Sequence, residues 1–138
     1  TPPTDRDLIL GRLLSAIAAR VTLDTSATAA VDAGAALATR RAQAEGMARL
    51  FVAAARVAGF EARLAIGLQP VGDGFATHAW AEVRRDGRWT AVDPAFGRRQ
   101  AGASLIRLGS SGSADPSQLL ARVLQLRVVA VPDSPEVP

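Results

Sequence analysis

The chain has 138 residues, 49% of them hydrophobic, enough for one domain with a core of its own. It has no lysine: the 16 cationic side chains are all arginine against 13 acidic ones, a net charge of +3. The arginines include scattered pairs (Arg40–Arg41, Arg84–Arg85, Arg98–Arg99) without the interleaved aromatics that stack nucleobases, so no nucleic-acid partner is expected. With no cysteine and one histidine, disulfides are excluded and neither a metal site nor a cofactor is expected; no run of about 18 apolar residues is present, so no membrane span is expected either.

Thr4 and Asp7 have the spacing of a capping box, with Asp where Glu or Gln is usual. Leu10, Leu13, Leu14 and Ile17 follow at helical spacing and predict a first helix from Asp5 to Arg20. Ser26 is placed to cap a second, weaker helix running to Ala38, whose alanines and Gly34 imply close packing. The third helix, Arg41 to Ala58, carries the clearest stripe: Met47, Leu50, Phe51, Ala54 and Ala58, with Gly59 as its stop.

After Gly59 the period changes. EARLAIGL reads as a short strand, VGDG as a turn, and ATHAWAEVRRDGRWTAVDP as two strands around an Asp86–Gly87 hairpin. GSSGSADPSQLL reads as a loop entering a helical turn, VLQLRVVAV as a final strand, and 132–138 as a tail or linker. Helices first and antiparallel strands later give an α+β class, with a single domain over 1–131. The start at Thr1 and the Pro-rich tail read as marks of a domain within a longer chain.

A turn at Asp86–Gly87 sets Arg85 opposite Arg88, Arg84 opposite Trp89 and Trp80 opposite Asp93. His78 shares a face with Trp80 and Glu82, and becomes a diagonal cross-strand neighbour of Asp93, with Cα atoms about 7–8 Å apart. A three-residue loop would flip this parity. A histidine aligned by a carboxylate is the base half of a nucleophilic triad. The non-catalytic alternative is a packed strand histidine and an aspartate that ends a strand before Pro94. A triad also needs a nucleophile, best placed at a helix N-terminus, where the dipole and free N–H groups favour a thiolate and an oxyanion.

In order and spacing, AQAEGMARLF, RVAGFEARLAIGL, HAWAEV and GRWTAVDPAFG resemble the bacterial transglutaminase-like domains of the papain-like cysteine fold. Those domains typically carry Gly-Asp-Cys-x-x-x-Ala-x-Leu-Phe, then Arg-Ala-x-Gly-Ile-Pro-Ala-Arg, His-Ala-Trp-x-Glu-Val and Gly-x-Trp-x-x-Val-Asp-Pro-x-Phe-Gly. The match runs from about Thr39 to Leu108. The resemblance implies a central helix packed on an antiparallel sheet. It places the family's histidine at His78, its aspartate at Asp93 and its nucleophilic cysteine at Ala44, in a register framed by Ala48, Leu50 and Phe51.

Acyl transfer or amide hydrolysis on a protein or peptide glutamine or amide carbonyl is the chemistry implied, and Ala44 leaves the nucleophile position vacant. An engineered Cys-to-Ala replacement fits the intact His78 and Asp93 segments. A natural pseudoenzyme fits Ala42 and Gln43, which stand where the family has Gly and Asp, and Leu105, which stands where close relatives often have histidine. A non-catalytic protein-binding module on the same fold is the alternative. Near the site, Trp80 is expected to pack; Glu45 and Gln43 flank the vacant position, with Gln43 expected to be solvated at the helix start, its amide donating to an oxyanion being the alternative. Arg98 and Arg99 either border a substrate groove or belong to a solvated loop.

Overall fold

The computed structural model describes residues 4–99, 101 and 104–110. The segments expected to form a loop after Ser110, a strand over 123–131 and a tail over 132–138 lie outside the described residues. Helix α1 spans Asp5–Arg20, as its spacing predicts, and buries Leu10, Leu14 and Ile17. Both halves of the capping box form: Asp7 N donates to Thr4 Oγ1 at 3.2 Å and Thr4 N to Asp7 Oδ2 at 3.1 Å.

The second helix is shorter than expected. Asp24 Oδ1 accepts from Ser26 N at 2.9 Å and coils the chain into a turn, so Ser26 does not cap. Asp32 caps instead, accepting from Ala35 N at 2.8 Å, and α2 is Ala33–Thr39. It ends where Arg40 turns left-handed at φ 58°. Strand β1 (Thr22–Leu23) then pairs in parallel with β2 (Arg41–Ala42). Arg41 and Ala42 are therefore extended, and α3 begins at Ala44 rather than Arg41, spanning Ala44–Val57. Gly59 follows at φ 88°, a left-handed stop that glycine adopts at no steric cost. The buried stripe is Gly46, Met47, Ala48, Phe51, Val52 and Ala55. Ala58 is exposed, contrary to the stripe read from sequence, because α1 and α2 pack beside α3 and rotate the centre of its buried face.

Strands β3 (Ala62–Val71), β4 (Gly74–Arg85), β5 (Arg88–Val92) and β6 (Ile106–Ser110) form an antiparallel sheet in the order β5-β4-β3-β6. The class is α+β, as expected. The β4–β5 register is the expected one, Arg85 opposite Arg88 and Arg84 opposite Trp89. Asp86 and Gly87 both take positive φ, 50° and 77°, as a type I′ turn requires. Strand β3 is longer than the short strand read from EARLAIGL, because it stays paired to the hairpin turn at Gly72–Asp73.

Alternation along the strands sends Ala62 and Leu64 of β3, and Ala79, Ala81 and Val83 of β4, towards the helices, where they join α3 in the apolar core. His78, Trp80 and Glu82 alternate with them. At Gly67 an added Cβ would lie 1.9 Å from Ile106 O and 2.7 Å from the Trp80 ring, so the absent side chain is what lets β6 and the indole close on β3.

Candidate active site

The last residue pair of β4 and β5 is Ala81 with Val92. The expected pairing of Trp80 with Asp93 does not form. The chain instead leaves the sheet through a 3-10 turn, Pro94–Phe96, and Asp93 exchanges two backbone hydrogen bonds with Arg98, at 2.8 and 2.9 Å. Pro94 cannot donate to a ladder and has φ preset for the turn, which ends β5 here. At His78, β4 has therefore lost its β5 neighbour, and the 3-10 turn closes over that edge to touch α3.

This departure sharpens the diagonal contact expected from sequence. His78 Nε2 lies 2.8 Å from Asp93 Oδ2, with both residues buried, 6% and 1% exposed. A carboxylate oxygen accepts, so the shared proton sits on Nε2 and Nδ1 is the nitrogen left for a proton relay. The imidazole is flanked by two rings: Trp80 stacks at 6.2 Å between centroids and Phe96 tilts over it at 5.5 Å. Trp80 thus packs against the histidine as expected. Asp93 Oδ1 is buried without a hydrogen-bond partner among the described residues. The contact of Phe96 with His78 was not read from sequence; its place two residues after Pro94, in the turn that follows Asp93, was the available signal.

Helix α3 approaches the same end of the sheet. Near its C-terminus Arg56 Nε donates to Ala62 O at 2.9 Å, which fixes that end beside the Ala62–Val83 row. Towards its N-terminus, Ala48 clusters with Leu64 and Ala79. Ala44 is one turn earlier on the same helix face and is half-buried. The first turn is held from behind: a Cβ on Gly46 would lie 2.5 Å from Ala30 O.

Gln43 is the N-cap but makes no side-chain cap. Its Nε2 donates to Ser26 O at 3.1 Å and Ala29 O at 3.4 Å, so these bonds tie down the 26–29 loop instead of serving an oxyanion. Glu45 pairs with Arg49 at 2.9 Å along the helix. Glu82 shares the face of His78 by alternation, but bonds to Arg63 and Arg107. The arginine pair after the turn divides: Arg98 lies over the Phe96 ring at 5.4 Å, whereas the Arg99 guanidinium lies against α1 at Gly11. Among the described residues no cluster of three or more His, Cys, Asp or Glu could hold a metal, and no helix is long and apolar enough to cross a membrane.

A buried imidazole with one nitrogen held by a carboxylate is an arrangement suited to proton transfer. The family model of the transglutaminase-like superfamily matches residues 8–94. No curated protein matches the sequence. Among solved structures, the chain is similar to one described as a "Putative Cysteine Protease from Cytophaga hutchinsonii", with 19% identity, a TM-score of 0.63, and coverage of 74% of this chain and 35% of that one. It is also similar to a structure described as a TGase, with 17% identity, a TM-score of 0.51, and coverage of 81% of this chain and 36% of that one. The chain thus spans about a third of the length of these two structures.

Proposed function

The chain belongs to the transglutaminase-like superfamily, and from that premise we propose that it is a Cys-His-Asp acyl-transfer or amide-hydrolysis domain whose nucleophile position is occupied by Ala44. The observation that carries this reading is the buried 2.8 Å contact between His78 Nε2 and Asp93 Oδ2, which leaves Nδ1 as the relay nitrogen. The run of α3 along the sheet, from Arg56 bonded to Ala62 towards Ala48 packed with Ala79, the neighbour of His78 on β4, supports it.

With a thiol at position 44, the thiolate attacks the carbonyl of a glutamine carboxamide or peptide bond in a protein or peptide substrate. His78 takes the thiol proton and returns it to the leaving nitrogen, while Asp93 holds the imidazole in its tautomer. N–H groups of the first turn of α3 face the developing oxyanion. An amine or water then resolves the acyl-enzyme. A methyl group cannot attack, so Ala44 leaves at most a residual ~10³–10⁴ acceleration over water from binding and oxyanion contacts.

The test is Ala44→Cys. The new thiol is expected to be alkylated rapidly well below the pH of about 8.5 at which a free cysteine ionises, and His78→Gln is expected to restore ordinary behaviour. Turnover of a glutamine peptide with an amine donor would accompany it. A thiol at position 44 that titrates like a free cysteine in the folded Ala44→Cys protein would remove the reading.

A second reading, a non-catalytic protein-binding module, is favoured by Gln43, whose amide is committed to the loop carbonyls of Ser26 and Ala29. The residue encoded at codon 44 of the natural gene separates an engineered alanine from a natural pseudoenzyme. Peptide binding by the Ala44 protein, with no turnover by Ala44→Cys, would favour the binding module.

A further inference from the structure

Phe96 covers the imidazole of His78 at 5.5 Å between centroids, yet it is 48% exposed, so one part of the ring seals the site and the rest faces solvent. Arg98 lies 5.4 Å from the centre of that ring. A guanidinium over an aromatic ring uses its face for the contact and keeps its in-plane N–H groups for a carboxylate. Arg41, Arg49, Arg63, Arg84, Arg85 and Arg107 each pair with an acidic side chain; Arg98, like Arg12, Arg40 and Arg88, has no carboxylate partner among the described residues, and of these it is the one seated on the ring that covers His78.

The segment is also held in place. The reciprocal backbone bonds between Asp93 and Arg98 close the 3-10 turn, and Gly97 takes the left-handed φ of 64° that the closure needs. The backbone that orients the carboxylate on His78 therefore also sets the origin of the Arg98 side chain. Arg99 is directed to α1, which leaves Arg98 as the cation of this pair beside the site.

We propose that Arg98, seated on Phe96 beside His78, is a specificity-determining residue that favours peptides carrying an acidic side chain near the reacting amide. This rests on the acyl-transfer reading above. The two contacts through the Phe96 ring keep the guanidinium within about three residues of extended peptide from His78. The partner is thus a peptide with a glutamine and an aspartate or glutamate within about three positions of it. An exposed charge pair of this kind is modest and screened by salt, so a preference of about 3-fold to 5-fold in kcat/KM is expected at low ionic strength.

The experiment uses the Ala44→Cys protein and matched glutamine peptides that carry Glu, Ala or Arg one, two or three positions before or after the glutamine. The Glu peptide is expected to exceed the Ala peptide in kcat/KM at low salt, and to lose that advantage at about 0.5 M salt. Arg98→Gln should bring the ratio to unity and Arg98→Glu should turn it in favour of the Arg peptide. Equal turnover of all peptides, or a ratio that Arg98→Glu leaves unchanged, overturns the specificity assignment while the acyl-transfer reading stands. No turnover of any peptide by a folded Ala44→Cys protein overturns both.

Discussion

The sheet buries two carboxylates that the structure uses in opposite ways. Glu82, 6% exposed, receives Arg63 on one oxygen at 3.1 Å and Arg107 on the other at 2.6 Å, and so ties β4 to β3 and β6. Arg63 also lies 3.9 Å over the Trp89 ring, which extends the network to β5. Asp93, 1% exposed, uses one oxygen for His78, and its other oxygen has no partner among the described residues. A carboxylate bonded on both oxygens is part of the scaffold. One that holds a single imidazole and keeps an unused acceptor, at a cost of about 1–3 kcal/mol, is arranged for that imidazole's sake.

The sharpest way to break this comparison is Asp93→Asn in the Ala44→Cys background. It should lower kcat by about 10⁴-fold, because the amide no longer fixes the tautomer, with little change in the urea midpoint. A small rate loss with a large stability loss would reduce Asp93 to a second Glu82.

Gly67→Ala comes next, since Gly67 underlies Trp80 and contacts β6 on the side of Arg107. The clash with Ile106 O is with backbone and cannot be relieved by a rotamer change. About 3 kcal/mol of destabilisation in urea unfolding is expected, along with a disturbed imidazole environment visible in the His78 NMR signals.

Glu82→Gln should cost about 2 kcal/mol in urea unfolding, below the figure for breaking a fully buried pair because Arg63 and Arg107 are partly exposed. In the Ala44→Cys background its kcat should change by no more than about 2-fold, as Glu82 bonds to the two arginines rather than to the His78–Asp93 pair. A rate loss like that of Asp93→Asn would erase the distinction.

The smallest effect belongs to a half-buried acid. Asp7 is held below its usual 3.8 by the Thr4 hydroxyl first, then the Thr4 N–H, with Arg85 adding to them. A carboxyl lowered in the folded state contributes stability that is fully present above that ordinary value and is lost as pH falls through the lower folded one. Between about pH 5 and pH 2, Tm should therefore fall less in Asp7→Asn than in the parent protein.

Much of the site was legible because its cues are local. The Asp86–Gly87 turn alone sets the β4–β5 register from Arg85 with Arg88 to Ala81 with Val92, and the Thr4–Asp7 spacing alone predicts the cap of α1. The start of α3 was not legible: Arg41 and Ala42 fit a helix by composition, and only pairing with Thr22 and Leu23, distant in sequence, makes them a strand. Gln43 was misread for the same reason, as its partners Ser26 and Ala29 arrive through that pairing.

By itself the sequence determined the α+β order of elements, the hairpin register and the residue types at the ends of that register, because turn chemistry and strand alternation act over a few residues. Tertiary structure alone decided that β5 stops at Val92, that Asp93 turns to Arg98 and brings its carboxylate to Nε2, and that Phe96 tilts over His78 and carries Arg98 on its ring. Glu82 and Asp93 were equally acidic on paper. What distinguished them was which side chains the packed strands and the closed turn brought within bonding distance.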